Sequence, residues 1–148
     1  MREAYAYSWR HELRLSLLEG RIAVARDQPD RALAIVKALH IEATSRFAPR
    51  YVRLAEIVAL EARARLGVDL PDVATLRVLS DALTTVAGVE AWWLLGHLAT
   101  VAGSPQCAEF AIEHRERVAA SLEPRMRAPF VAYSDARLER ISTRGRIA

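Results

Sequence analysis

Apolar residues recur along this chain at intervals of three and four, the mark of helices that turn one face inward. From Tyr7 to Arg26 the stripe is Leu15, Leu18, Ile22 and Ala25. Prolines and glycines punctuate the pattern. Pro29 sits where a helix begins, because its missing N–H costs nothing in the first turn, and Asp30 adds negative charge at the positive end of the dipole. This second helix should run to about Thr44. Pro49 marks the next break, and a third helix spans Arg50 to about Leu66, stopped by Gly67. Pro71-Asp72 opens a fourth, to about Val86. Gly88 breaks the chain before a fifth over Val89 to Ala102, which Gly103 ends. Ser104 caps a sixth helix and Pro105 takes its first position, with an end near Leu122. Pro124 interrupts, and Pro129 starts a shorter seventh helix to Ile141. The polar stretch 142–148 reads as a flexible tail, leaving 1–141 as a single domain.

No strand pattern competes with these helices, so the expected fold is all-α. Three stretches also share one spacing. Leu18-Glu19-Gly20 precedes Pro29-Asp30-Arg31-Ala32, Leu60-Glu61-Ala62 precedes Pro71-Asp72-Val73-Ala74, and Leu94-Leu95-Gly96 precedes Pro105-Gln106-Cys107-Ala108. In each the small residue precedes the later alanine by the same interval. Such self-similarity signals helix pairs stacked into an array: helix 1 with 2, 3 with 4, and 5 with 6. About three pairs are needed for stability, and Phe130, Tyr133, Leu138 and Ile141 could cover the exposed end of the last.

These residues resemble the tetratricopeptide repeat, a helix-turn-helix unit of about 34 residues. The last repeat matches best, through Trp92, Leu95, Gly96, Ala99, Ala108 and Ile112. The first matches through Gly20, Ala32 and Val36, the second only through Ala62, Ala74 and Val78; both lack the aromatic, holding Ser16 and Val58 there. Arg125 to Phe130 with Leu138 looks like the end of degenerate repeat arrays in large bacterial signalling proteins, where the array follows an ATPase, kinase, cyclase or DNA-binding domain. None of those domains is present in these residues. The resemblance implies a short right-handed superhelix of about three helix pairs plus a C-terminal capping helix. Gly96 and Ala108 would let two paired helices approach, and Trp92 would fill the space between them.

Composition agrees. Hydrophobic residues make up 52% and charged residues 26% of 148. No run of about 18 consecutive apolar residues occurs, so no membrane span is expected. The start, Met1-Arg2-Glu3-Ala4-Tyr5, lacks the apolar core of a signal peptide, which makes a cytoplasmic setting the expectation. Net charge is +3, but 18 acids are interspersed among the bases, whereas nucleic-acid binders concentrate theirs on one face. Lys37 is the only lysine; every other basic residue of the 21 is arginine.

Catalytic chemistry finds no constellation. There is no phosphate loop and no nucleophile elbow, and His11-Glu12 lacks the second histidine of a helical zinc motif. No metal or cofactor is expected, nor an enzyme. Cys107, the single cysteine, falls in the first turn of a helix but beside a packed contact, where burial leaves thiols inert. Glu113-His114-Arg115-Glu116-Arg117 reads as a solvated helix face.

In the resembled family the first helix of each pair lines a groove. Here that face carries Arg14, Leu17, Arg21 and Val24, then Glu56, Ala59, Arg63 and Leu66, then Glu90, Trp93, His97 and Thr100. Stacking would align Arg21, Arg63 and His97 in a column of donors. Beside Leu17 and Trp93, with Arg14 at the edge, such a column could hold an acidic or C-terminal carboxylate and an apolar anchor. The expected function is a protein-interaction module for a peptide or partner domain, regulatory or signalling in role. Its alternatives are nucleic-acid binding through the arginine-rich surface, or self-association, as a homodimer, through the array ends.

Overall fold

The computed structural model describes the backbone of residues 8–147 and side chains as far as Ile141. Among the described residues it contains six helices and no strand: α1 (Ser8–Ala25), α2 (Pro29–Ser45), α3 (Pro49–Arg65), α4 (Val73–Ala102), α5 (Pro105–Ser121) and α6 (Pro124–Ile147). The chain divides into two units, Met1–Val68 and Asp69–Ala148. The two helices expected to form the second repeat pair therefore belong to different units.

In the first unit α1 packs on both α2 and α3, and α2 packs on α3. Pro29 and Pro49 each occupy the first helical position. All three helices stop in the same way. Gln28, Ala48 and Val68 donate their N–H groups back to the carbonyls of Ala23, Ala43 and Arg63, the doubled-back bond of a Schellman motif. The residue before each donor takes a left-handed φ: Asp27 at 55°, Phe47 at 52° and Gly67 at 75°. These stops are equally spaced, so α2 and α3 are built to one template.

The core of this unit holds Leu13, Ala23, Val24, Ala32, Val36, Leu39, Ala43, Ala55, Val58 and Ala62. On α1 this corrects the expected stripe. Leu15, Leu18, Ile22 and Ala25 are all exposed, and the buried face is Leu13, Gly20, Ala23 and Val24 with half-buried Leu17. The reason is visible at Gly20. A Cβ there would lie 2.8 Å from Val36 Cγ1 and 3.7 Å from Ile35 Cγ2. Only a bare backbone lets α2 come so close, and that approach selects the glycine face.

In the second unit α4 packs on α5 and α6, and α5 on α6. The fourth and fifth helices of the sequence pattern are the two arms of α4. The backbone leaves helical geometry at Ala87 (φ −148°, ψ 33°), one residue before Gly88. Asp72 caps the first arm by accepting from the Thr75 N–H at 2.8 Å, which holds its carboxyl below the ordinary range. Pro71 thus precedes the cap instead of starting the helix. Ser104 caps α5 as expected, accepting from the Cys107 N–H at 3.2 Å. At the C-terminal end α6 begins at Pro124, contains Pro129 and continues to Ile147, past the Ile141 at which the pattern ends it. By length and a mean hydropathy of 1.2, α4 could cross a membrane. Of its apolar residues, Leu76, Leu83, Trp92, Leu94, Leu95 and Leu98 are buried, while Val73, Val78 and Val89 are exposed.

Helix phase also departs from the resemblance. Ala74, Val78, Ala108 and Ile112 are exposed, while Cys107, Phe110, Ala111 and His114 form the buried face of α5. Burying the large ring of Phe110 outweighs burying Ala108, because the gain scales with apolar area. Gly96 does not meet Ala108. Its Cβ position lies 2.7 Å from Leu138 Cδ2 of α6, and Ile141 Cδ1 is at 4.0 Å. Leu138 and Ile141 thereby cover α4, as expected of the terminal helix.

These two glycines should respond differently to alanine, which gains about 1 kcal/mol of helix propensity at each. At Gly20 the new methyl meets Val36, stiff at χ1 and buried. Overpacking then dominates, and Gly20→Ala should destabilise the first unit by about 1–2 kcal/mol. At Gly96 it meets the mobile end of half-buried Leu138, so Gly96→Ala should stay within about 0.5 kcal/mol of wild type. Urea unfolding of the two variants checks the order.

Candidate functional site

Trp92 and Trp93 are consecutive on the second arm of α4, so their rings diverge. Trp92 is buried and stands edge-on to Phe130 (centroids 6.0 Å apart) and Tyr133 (6.4 Å) of α6. Its ring contacts lie between α4 and α6. Trp93 is half-buried. One helical turn on, His97 meets it edge-on at 5.9 Å. From α6 the Arg137 guanidinium lies 5.0 Å over the Trp93 ring and donates from Nη1 to Tyr133 Oη at 2.8 Å. Tyr133 and Arg137 are themselves one turn apart.

The structure therefore brings together two of the residues expected to bind a partner, Trp93 and His97, and adds two more, Arg137 and Tyr133. The spacing Tyr133-x-x-x-Arg137 on a helix was the available signal. The cluster adjoins the Trp92–Phe130–Tyr133 packing, and its members are half-buried apart from exposed Tyr133. It can supply a flat apolar ring, a cation fixed in plane by stacking, and a phenol.

Arg14, Leu17, Arg21 and Arg63 lie in the first unit. Arg14 and Arg63 are exposed, and Leu17 is half-buried against the core. Arg21 lies near Glu61 of α3, whose carboxyl burial pushes up while Arg65 and Arg21 pull it down. Arg65 also reaches Asp27 Oδ1 at 3.7 Å. Arg21 thus has an acid on a neighbouring helix.

Between α4 and α5 runs a polar ladder that the sequence reading placed on a solvated face. Arg77 grips Glu113 with two bonds, 2.6 and 3.2 Å, and lies 4.1 Å over the Phe110 ring. This pair holds the Glu113 carboxyl low and the Arg77 guanidinium high. Arg117 donates to Thr84 Oγ1 at 2.9 Å. Between these rungs His114 is buried, with Nε2 2.9 Å from Ser80 Oγ and 3.1 Å from the Ser80 carbonyl oxygen. Burial first, then Arg117, push the imidazole below its ordinary range. A Ser–His contact invites a nucleophile reading, but both side chains are sealed from solvent. This pair joins helices.

Cys107 is buried too, and burial pushes its thiol up against the weaker pull of Ser104. Among the described residues no group of three or more His, Cys, Asp or Glu side chains is placed to hold a metal ion. Comparison with protein families, with curated proteins and with solved structures finds no match to this chain.

Proposed function

We propose that this chain is a non-catalytic interaction module, a short tetratricopeptide-like scaffold that binds an acidic peptide or partner domain through Trp93, His97, Tyr133 and Arg137. The observation that supports this reading is Arg137 stacked on half-buried Trp93 while bonded to half-exposed Tyr133. Tryptophan, tyrosine and arginine dominate the energetics of protein interfaces, because each combines large apolar area with directed polar groups. Stacking orders the guanidinium before a ligand arrives, so less freedom is lost on binding. Its fork matches a carboxylate, and the Trp93 face suits an adjoining apolar side chain.

Panning a phage-displayed random peptide library on the full chain tests the reading. Selected peptides should be enriched in Asp and Glu next to an apolar residue. Trp93→Ala and Arg137→Ala should each weaken binding about 10- to 100-fold, as for interface anchors. Peptides that bind both variants as well as wild type would sink the assignment. So would preferential binding of an oligonucleotide that weakens steeply with salt.

A further inference from the structure

Among the described residues, α1 presents an apolar surface that the rest of the first unit does not cover. Leu15, Leu18 and Ile22 of α1 are 60%, 50% and 41% exposed. Exposed His11 and Ala25 continue the same line at either end. The steps His11, Leu15, Leu18, Ile22, Ala25 are four, three, four and three residues, the seam of a coiled coil. The face of α1 that packs inward, Leu13, Leu17, Gly20 and Val24, lies on the opposite side. This helix is thus apolar on two faces, and among the described residues only one is covered within the unit.

From this heptad seam and the charges beside it, we infer that two copies of this chain pair through α1, parallel and in register. The flanking residues select the occupant. Arg14 and Arg21 line one side of the seam, and Glu12, Glu19 and Arg26 line the other. In a parallel pair each flank faces the opposite flank of the second copy one heptad on. Arg14 then meets Glu19 of the second copy, twice by symmetry. The parallel pairing also sets Arg21 near Arg26 of the second copy, but Glu61 beside Arg21 supplies a counter-charge. In an antiparallel pair like flanks meet: Arg14 faces Arg21, again with Glu61 beside it, and Glu19 faces Glu19. Only Glu12 with Arg26 would attract. The parallel arrangement therefore has the better charge match. With about two and a half heptads in an 18-residue helix, the pair is weak.

Sedimentation equilibrium of the full chain, from about 1 μM to about 1 mM, spans the affinities such a small interface reaches. The average mass should rise from 16.5 kDa towards twice that value. Leu18→Glu should hold the chain monomeric while its circular dichroism and unfolding midpoint stay at wild-type values, because Leu18 points away from the core. Arg14→Glu should weaken the dimer about tenfold, as two lost ion pairs would. The double variant Arg14→Glu/Glu19→Arg should restore it. A wild type that stays at 16.5 kDa throughout overturns the inference, as does equal dimerisation of Leu18→Glu. Tighter association of Arg14→Glu overturns the parallel arrangement, since it would relieve the Arg14–Arg21 repulsion of the antiparallel one. None of these residues belongs to the α4–α6 cluster, so this outcome and that of the peptide panning are independent.

Discussion

Trp92→Ala should destabilise the second unit by about 3–5 kcal/mol and leave the first intact. The indole is buried and packs against Phe130 and Tyr133, joining α4 to α6. Truncating a buried tryptophan costs about 3–5 kcal/mol, the transfer of its apolar area plus the cavity left behind. A domain's whole stability is about 5–15 kcal/mol, so the loss consumes much of it. Hydrogen exchange read by segment is the check. Amides of α4, α5 and α6 should exchange about a hundredfold faster or more. Those of α1, α2 and α3 should keep their protection, because their core is Leu13, Val24, Val36, Leu39 and Val58. A uniform change along the chain would refute separate cores. A change in α4–α6 worth under about 1 kcal/mol would refute the role given to Trp92.

Mild acid should also destabilise the second unit, and His114 is the reason. The buried imidazole has its pKa pushed below the ordinary value by burial and by Arg117, against Glu113 and Asp81. Below about pH 6.5 the unfolded chain takes up a proton that the folded one refuses. Stability from His114 is therefore present above that pH and is lost as pH falls towards the depressed folded value. Glu61 has the opposite sign in the first unit. Its carboxyl is raised by burial, so its contribution is present at low pH and is lost as pH rises through the folded value. His114→Leu should cost about 1–3 kcal/mol at pH 7, since Ser80 Oγ loses its buried partner. The same variant should flatten the pH dependence of the second unit between pH 7 and pH 5. Urea unfolding followed by tryptophan fluorescence, in a Trp9→Phe background, isolates that unit. Parallel losses in wild type and variant would show that another group governs the response.

Helix positions were readable from sequence because their signals are local. Pro29, Gly67, Gly88, Gly103 and Ser104 act through backbone geometry within a turn, and each marks a boundary or the kink where the structure has one. Which face of a helix turns inward is decided between helices, and that was harder to read. On α1 the larger aliphatic stripe, Leu15, Leu18 and Ile22, lost the core to the stripe that contains Gly20. On α5 the contest between Ala108 with Ile112 and Cys107 with Phe110 went to the aromatic. The Trp93 cluster was half legible. Trp93 and His97 share a helix and are read as a pair from their spacing. Arg137 reaches them from a helix more than one element later, where no periodicity along the chain connects it. The equal spacing of the stops at Asp27, Phe47 and Gly67 went unread because three different residue types fill one backbone role.

Cys107 turns the second unit into a recorder of its own opening. Sealed beneath α4, with its thiol held protonated, it is closed to oxidants and electrophiles while the unit is folded. Any covalent mark on it registers a molecule that has come apart at least once. In a cell under oxidative stress the damage would fall on those copies already loosened by heat, acid or substitution. Sulfinic or sulfonic oxygens would bring charge into this buried position, which opposes closing again. Chemical injury would then act as a ratchet, sorting frail copies from sound ones.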